Sequence, residues 1–208
     1  VNLPAYETAA SRADTEGASE TTLCCSEFQD SIDLDAPIPE LDFPPKLHLI
    51  KIPAGEDYLV GRLFAPQGNG PHPVIVLLHG FPGNQLNYDL AANFQNLGFH
   101  VFIFHYRGAW GSKGEFSIVH AQEDVETVLA YLRLPEVGEQ FGIDSGRIGL
   151  VGHSFGGFLA LMAAAKDMEI ATCVSLSGVN FGLLVKKLSD QPEWRSQFEA
   201  FFEYPQVF

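Results

Sequence analysis

The most constraining feature of this chain is a pair of short, unbroken apolar runs, P-V-I-V-L-L-H-G at 73–80 and F-H-V-F-I-F at 99–104. A strand with one wetted face alternates apolar and polar residues. A run without alternation, closed by His-Gly or by a basic turn, is a strand covered on both faces. Such strands belong to parallel sheets with helices packed above and below. The surrounding pattern agrees. Residues 46–52 and 58–64 read as two strands joined by the turn P-A-G-E-D, and 88–97 suits a helix. In 119–133, Val125, Val128, Leu129 and Leu132 fall at i, i+3, i+4 and i+7, one face of an amphipathic helix. Residues 147–151 form a further strand, 155–166 a helix and 170–176 a last strand. Strands alternating with helices predict an α/β domain built on a mostly parallel sheet.

Charge divides the chain. Of 208 residues, 12 are Lys or Arg and 26 are Asp or Glu, a formal net charge of −14. Ten of those acids, with a single base, fall in residues 1–42, among Ala, Ser, Thr and Pro with few periodic apolars. Such a segment buries too little surface to offset its ordering entropy, so it is expected to be an acidic, disordered tail or linker. The domain is then 43–208. A strongly acidic balance argues against nucleic acid, whose phosphates demand clustered Lys and Arg. No run of eighteen apolar residues is present, which argues against a transmembrane helix. The chain opens at Val1 with no basic-then-apolar segment, which leans towards the cytoplasm. Oligomeric state is open.

Chemistry concentrates at Gly152-His153-Ser154-Phe155-Gly156, a G-x-S-x-G placed between the strand R-I-G-L-V and the helix F-G-G-F-L-A-L-M-A-A-A-K. This strand–turn–helix setting is that of a nucleophile elbow. A sharp turn lifts the Ser154 hydroxyl above the sheet edge. Side chains at 152 and 156 would collide as strand and helix fold back, so glycine fits both. The first amides of the helix, with the positive end of its dipole behind them, point at the same spot. A nucleophilic serine also needs two donors for the oxyanion. One is the backbone N–H of Phe155. The other is expected from the loop H-G-F-P-G-N at 79–84, where Phe81 supplies an N–H and Pro82 cannot.

H-G-F-P-G-N, H-Y-R-G-A-W-G-S-K-G-E-F-S at 105–117 and R-I-G-L-V-G-H-S-F-G-G at 147–157 together resemble the α/β-hydrolase superfamily, most of all its dienelactone-hydrolase and prolyl-oligopeptidase-like branch. The resemblance covers residues 46–178. It implies an eight-stranded sheet, six strands of it here, and Ser–His–acid hydrolysis with Ser154 as nucleophile and the Phe81 and Phe155 amides as oxyanion hole. In one respect the chain departs from the pattern. The superfamily order is Ser, acid, His, yet all seven histidines, at 48, 72, 79, 100, 105, 120 and 153, precede Ser154. His79 and His105 end strands near the site, where packing is their expected role. The missing His, the missing initial Met and two missing strands share one expected explanation, a fragment of a longer hydrolase, inactive by itself, with 170–176 left as an open apolar edge.

The expected activity is hydrolysis of an ester through an acyl-enzyme. A serine peptidase of the prolyl-oligopeptidase kind, or a non-catalytic ligand- or partner-binding relative, are the alternatives. No cofactor is expected: the sequence holds no G-x-G-x-x-G, G-K-[ST], H-E-x-x-H or C-x-x-C. Nor is any metal, and the three cysteines give no disulfide framework, Cys173 reading as a small core residue. Asp124 and Arg107 are expected to form a structural ion pair. Trp194, Phe198, Phe201 and Phe202 share one helical face. This makes the segment within 179–208 a core or domain-contact helix, or alternatively the start of a lid or cap over an apolar acyl pocket.

Overall fold

A computed structural model describes residues 42–81, 86–191 and 193–196. The expectations for the acidic tail, for Cys24 and Cys25, for Pro82 and for Phe198, Phe201 and Phe202 lie outside these residues.

Six strands and five helices follow one another along the described chain: β1 (Lys46–Ala54), β2 (Asp57–Ala65), β3 (His72–Leu78), α1 (Tyr88–Asn96), β4 (His100–Phe104), α2 (Ile118–Leu132), α3 (Pro135–Phe141), β5 (Ile143–His153), α4 (Phe155–Lys166), β6 (Thr172–Leu176) and α5 (Phe181–Asp190). The strands form one sheet in the order β1-β2-β4-β3-β5-β6. β1 and β2 make an antiparallel hairpin, and β2 runs antiparallel to β4. From β4 to β6 all pairing is parallel. β6 is the far edge among the described residues, with Val174 and Leu176 partly exposed on it. That open edge is the one the sequence leads one to expect.

The unbroken apolar runs are buried on both faces, as their pattern requires. On β3, Val74, Val76 and Leu78 enter one core with α2, α4 and the β1–β2 hairpin. Ile75 and Leu77 enter a second core with Ala91 of α1 and Val101 and Ile103 of β4. Neighbouring side chains on a strand point to opposite faces, so one run feeds two layers.

Two elements exceed the sequence expectation. β5 begins at Ile143, not 147, because the pairing with β3 shifts between Pro73 and Val74 and carries the strand past Asp144-Ser145-Gly146, which reads as a turn. α3 lies in P-E-V-G-E-Q-F, where Pro and Gly suggest a loop. Pro135 opens the helix at its first position, and Gly142, at φ 70°, ends it in the left-handed region.

β3 matters most for function. Its chain successor β4 lies on one side, while β5 lies on the other. At such a reversal the loops leaving the carboxyl ends diverge and open a crevice. Leu78 pairs with Gly152 there, so the segments after β3 and β5 leave the sheet side by side.

Candidate active site

Ser154 stands between β5 and α4 with φ 55° and ψ −115°, a conformation that L-residues adopt at a cost of roughly 1–3 kcal/mol. The turn is held from several directions. The Ser154 N–H donates to the carbonyl of Leu176 at 2.9 Å, and the Ser154 carbonyl accepts from Phe158 at 3.2 Å and from Val179 at 3.1 Å. The glycines flanking the serine are required by backbone packing. A Cβ on Gly152 would overlap the carbonyl of Gly156, and one on Gly156 would overlap the carbonyl of Leu78. The helix α4 is thus pressed onto β3 and β5 closely enough to force the serine into its strained turn.

The loop after β3 approaches the same point. A Cβ on Gly80 would lie 3.2 Å from the Ser154 Cβ, so the Gly80–Phe81 peptide borders the serine. Phe155 follows Ser154 as the first residue of α4, and its N–H is among those that no carbonyl within a helix can accept. The structure therefore brings Ser154, Phe81 and Phe155 close to one another.

No hydrogen bond joins Ser154 to a histidine among the described residues. His79 uses Nδ1 on the Gly80 carbonyl at 2.8 Å. His105 lies with Nε2 3.3 Å from the Arg62 guanidinium. Both are buried, and burial pulls each pKa down to about 4. Both pack among rings at the strand ends, His79 against His105 and Tyr106, and His105 against Trp110. Arg107 and Asp124 form the expected ion pair. The fully buried Asp124 carboxylate accepts from Arg107 Nε at 2.5 Å and from the Arg107 N–H at 2.8 Å. Burial pushes the Asp124 carboxyl upward, against the opposing pull of Arg107. This pair fastens the loop after β4 to α2. Cys173 is half-buried against the core, as a small apolar residue.

Ser154 opens into a cavity of about 570 Å³. Its other lining residues are apolar: Phe81, Phe116, Ile118, Phe155, Val179, Phe181, Leu184, Val185 and Leu188. The rings interlock, with Phe81 and Phe116 at 5.0 Å, Phe116 and Phe155 at 5.9 Å, and Phe155 and Phe181 at 6.1 Å between centroids. The wall supplied by α5 falls inside 179–208, the segment expected to hold a core helix or the start of a lid, but on other residues than the Trp194 face: Phe181, Leu184, Val185 and Leu188 recur at i, i+3, i+4 and i+7, one helix earlier. Trp194 itself carries the Lys187 ammonium over its ring at 3.5 Å. Among the described residues no group of three His, Cys, Asp or Glu is placed to hold a metal, and no helix is long and apolar enough to cross a membrane.

The family profile described as "alpha/beta hydrolase fold" matches residues 73–207. The chain belongs to this alpha/beta hydrolase family. An uncharacterised 31.7 kDa protein of Escherichia coli is 38% identical over 112 residues, 53% of this chain and 38% of its own length. Acyl-coenzyme A thioesterase 3 of Mus musculus is 30% identical over 128 residues, 62% of this chain and 28% of that protein. The Pyrococcus furiosus esterase Pf2001 shares the fold at a TM-score of 0.58 and 20% identity, over 76% of this chain and 64% of that one. The chain spans about a third of the length of the curated relatives it matches.

Proposed function

We propose that the protein carrying this chain hydrolyses esters or thioesters of apolar acyl groups through an acyl-enzyme on Ser154. The observation that carries this reading is the placement of a strained, glycine-flanked serine at the mouth of a cavity otherwise walled by apolar side chains. Ser154 Oγ attacks the acyl carbonyl, and its proton passes to a general base. The oxyanion accepts from the Phe81 and Phe155 amides, and the alcohol or thiol leaves with a proton from the conjugate acid of that base. Water then attacks the acyl-enzyme by the same route reversed. No cofactor enters the cycle. Among the described residues no histidine is bonded to Ser154 to serve as that base. The Mus musculus relative is named a thioesterase, which brings thioesters into the substrate class beside oxygen esters.

Because Ser154 has no histidine partner among the described residues, a non-catalytic binding role is the second reading. One experiment separates the two. The whole protein, assayed with p-nitrophenyl butyrate, should turn over and lose activity by about 10⁴-fold or more in Ser154→Ala. The 208-residue chain alone should be labelled barely or not at all by a serine-directed phosphonate. A whole protein without Ser154-dependent turnover on esters or thioesters favours binding.

A further inference from the structure

Two consecutive peptide groups run from β3 to Phe81, and each is held by a different buried side chain. The Tyr106 hydroxyl donates to the His79 carbonyl at 2.9 Å. The His79 ring, through Nδ1, meets the Gly80 carbonyl at 2.8 Å. A carbonyl only accepts, so the His79 proton resides on Nδ1. The Gly80 carbonyl and the Phe81 N–H belong to one trans peptide group and point in opposite directions. Fixing the carbonyl against His79 therefore fixes the direction of the Phe81 N–H.

The same two rings touch each other, with centroids 4.4 Å apart, and Tyr106 meets the ring of Phe155 edge-on at 5.7 Å. Tyr106 and His79 are 1% and 2% exposed. Neither side chain has room to reorient without disturbing the core. We propose that Tyr106 and His79 are positioning residues which together aim the Phe81 N–H at the oxyanion and hold the Phe155 arm at a fixed distance from it. The proposal rests on the serine-hydrolase reading above.

Both groups keep the protonation state the brace needs. Burial, aided by the Asp124 charge, raises the Tyr106 phenol well above its ordinary value, so it remains a donor. Burial keeps His79 neutral to about pH 4. The bond from His79 also polarises the Gly80–Phe81 amide, making the Phe81 N–H a better donor, whereas Tyr106 acts by holding the preceding peptide in place. The effect is greatest when negative charge develops on the substrate oxygen, so it acts on the transition state more than on the bound ester.

The test uses the whole protein. Tyr106→Phe removes one hydroxyl and keeps the ring. His79→Asn keeps a donor at the δ position, while His79→Leu removes it. Tyr106→Phe and His79→Leu should lower kcat by about 10- to 100-fold with KM nearly unchanged, a part of what loss of an oxyanion donor costs. Phosphonate labelling of Ser154 should slow in proportion, and His79→Asn should recover most of the loss. Melting curves identify the variants that remain folded. A general weakening of the fold would move KM and kcat together and would not be rescued by Asn. Unchanged kcat in folded Tyr106→Phe and His79→Leu overturns the brace, as does a loss confined to KM. Ser154→Ala is run alongside: full activity there overturns the serine-hydrolase reading itself. In that event, amide exchange at Phe81 still decides the brace, since faster exchange in Tyr106→Phe supports it and an unchanged rate overturns it.

Discussion

The α-carbon of Gly156 faces the carbonyl of Leu78 so closely that a single added Cβ would overlap it. Helix α4 and strand β3 meet backbone to backbone at this point, one residue pair from the serine. Gly156→Ala should therefore destabilise the 208-residue chain by about 3 kcal/mol or more, since rigid main chain must move on both sides. Gly98 is a useful contrast. It has φ 89° but no atom within 4 Å of a Cβ, so Gly98→Ala should cost only about 1 kcal/mol of backbone strain. Urea midpoints of the two variants check the difference, and equal losses would contradict it.

Ser154 is expected to lose strain as it loses function. Glycine accepts positive φ without penalty, so Ser154→Gly should raise stability by about 1 kcal/mol while abolishing turnover in the whole protein. Ser154→Ala keeps the Cβ and should abolish turnover without the stability gain. Thermal melts of the three proteins provide the comparison.

Asp124 and Arg107 predict a large, asymmetric loss. Asp124 is wholly buried and satisfies both the Arg107 side chain and its N–H. Asp124→Ala takes the partner from the Arg107 Nε and from its backbone N–H, while Glu123 and the His120 carbonyl still hold the other end of the guanidinium, and should cost about 3 kcal/mol. Exchanging Glu123, the exposed partner of the same arginine, should cost less than about 1 kcal/mol. Chemical denaturation of both single variants tests the ordering.

Acid should weaken the fold well above the carboxylate range. Burial, opposed at His79 by the Gly80 carbonyl and at His100 by the Gly142 carbonyl, holds His79, His100 and His105 near a pKa of about 4, against 6.5 ordinarily. Between these values the unfolded chain binds protons that the folded chain refuses. The stability they contribute is complete above about pH 6.5 and lost as pH falls towards 4, with a slope approaching 1.4 kcal/mol per pH unit for each ring, at about 25 °C. Denaturation midpoints at pH 7, 6 and 5 should fall in sequence. A flat profile would show that these rings titrate normally.

The α5 wall predicts selectivity by acyl length. Leu184→Glu puts a charge into a lining otherwise made of apolar side chains and Ser154. In the whole protein it should raise KM for an octanoyl ester by about tenfold or more, and leave an acetyl ester within about twofold. Steady-state kinetics on the pair decide the matter.

How far the sequence can be read depends on which forces wrote it. β3 and β4 are plain in the chain because burial on both faces leaves no room for polar residues. The elbow is plain because overlap of backbone atoms leaves only glycine at 152 and 156. The extension of β5 to Ile143 is hidden because strand pairing there is carried by main chain, and Asp144-Ser145-Gly146 has side chains suited to a turn. α3 is hidden because Pro135 at its first position, Gly138 in its middle and Gly142 just past its end read as loop residues, although Pro135 and Gly142 start and stop a helix. Tyr106 and His79 are unremarkable in sequence, since a buried side chain bonded to a distant carbonyl leaves no periodic trace.

The elbow and the pocket wall are made of different material. Ser154 is set by contacts among main-chain atoms of β3, β5 and α4, where almost any mutation is damaging. The surface a substrate would meet comes from side chains of α5 and of the segment around Phe116 and Ile118, and α5 buries none of its residues fully. Point changes along that single helix would reshape the apolar wall and leave the main-chain packing around Ser154 untouched. Descendants of one ancestor would then share their chemistry and differ in diet.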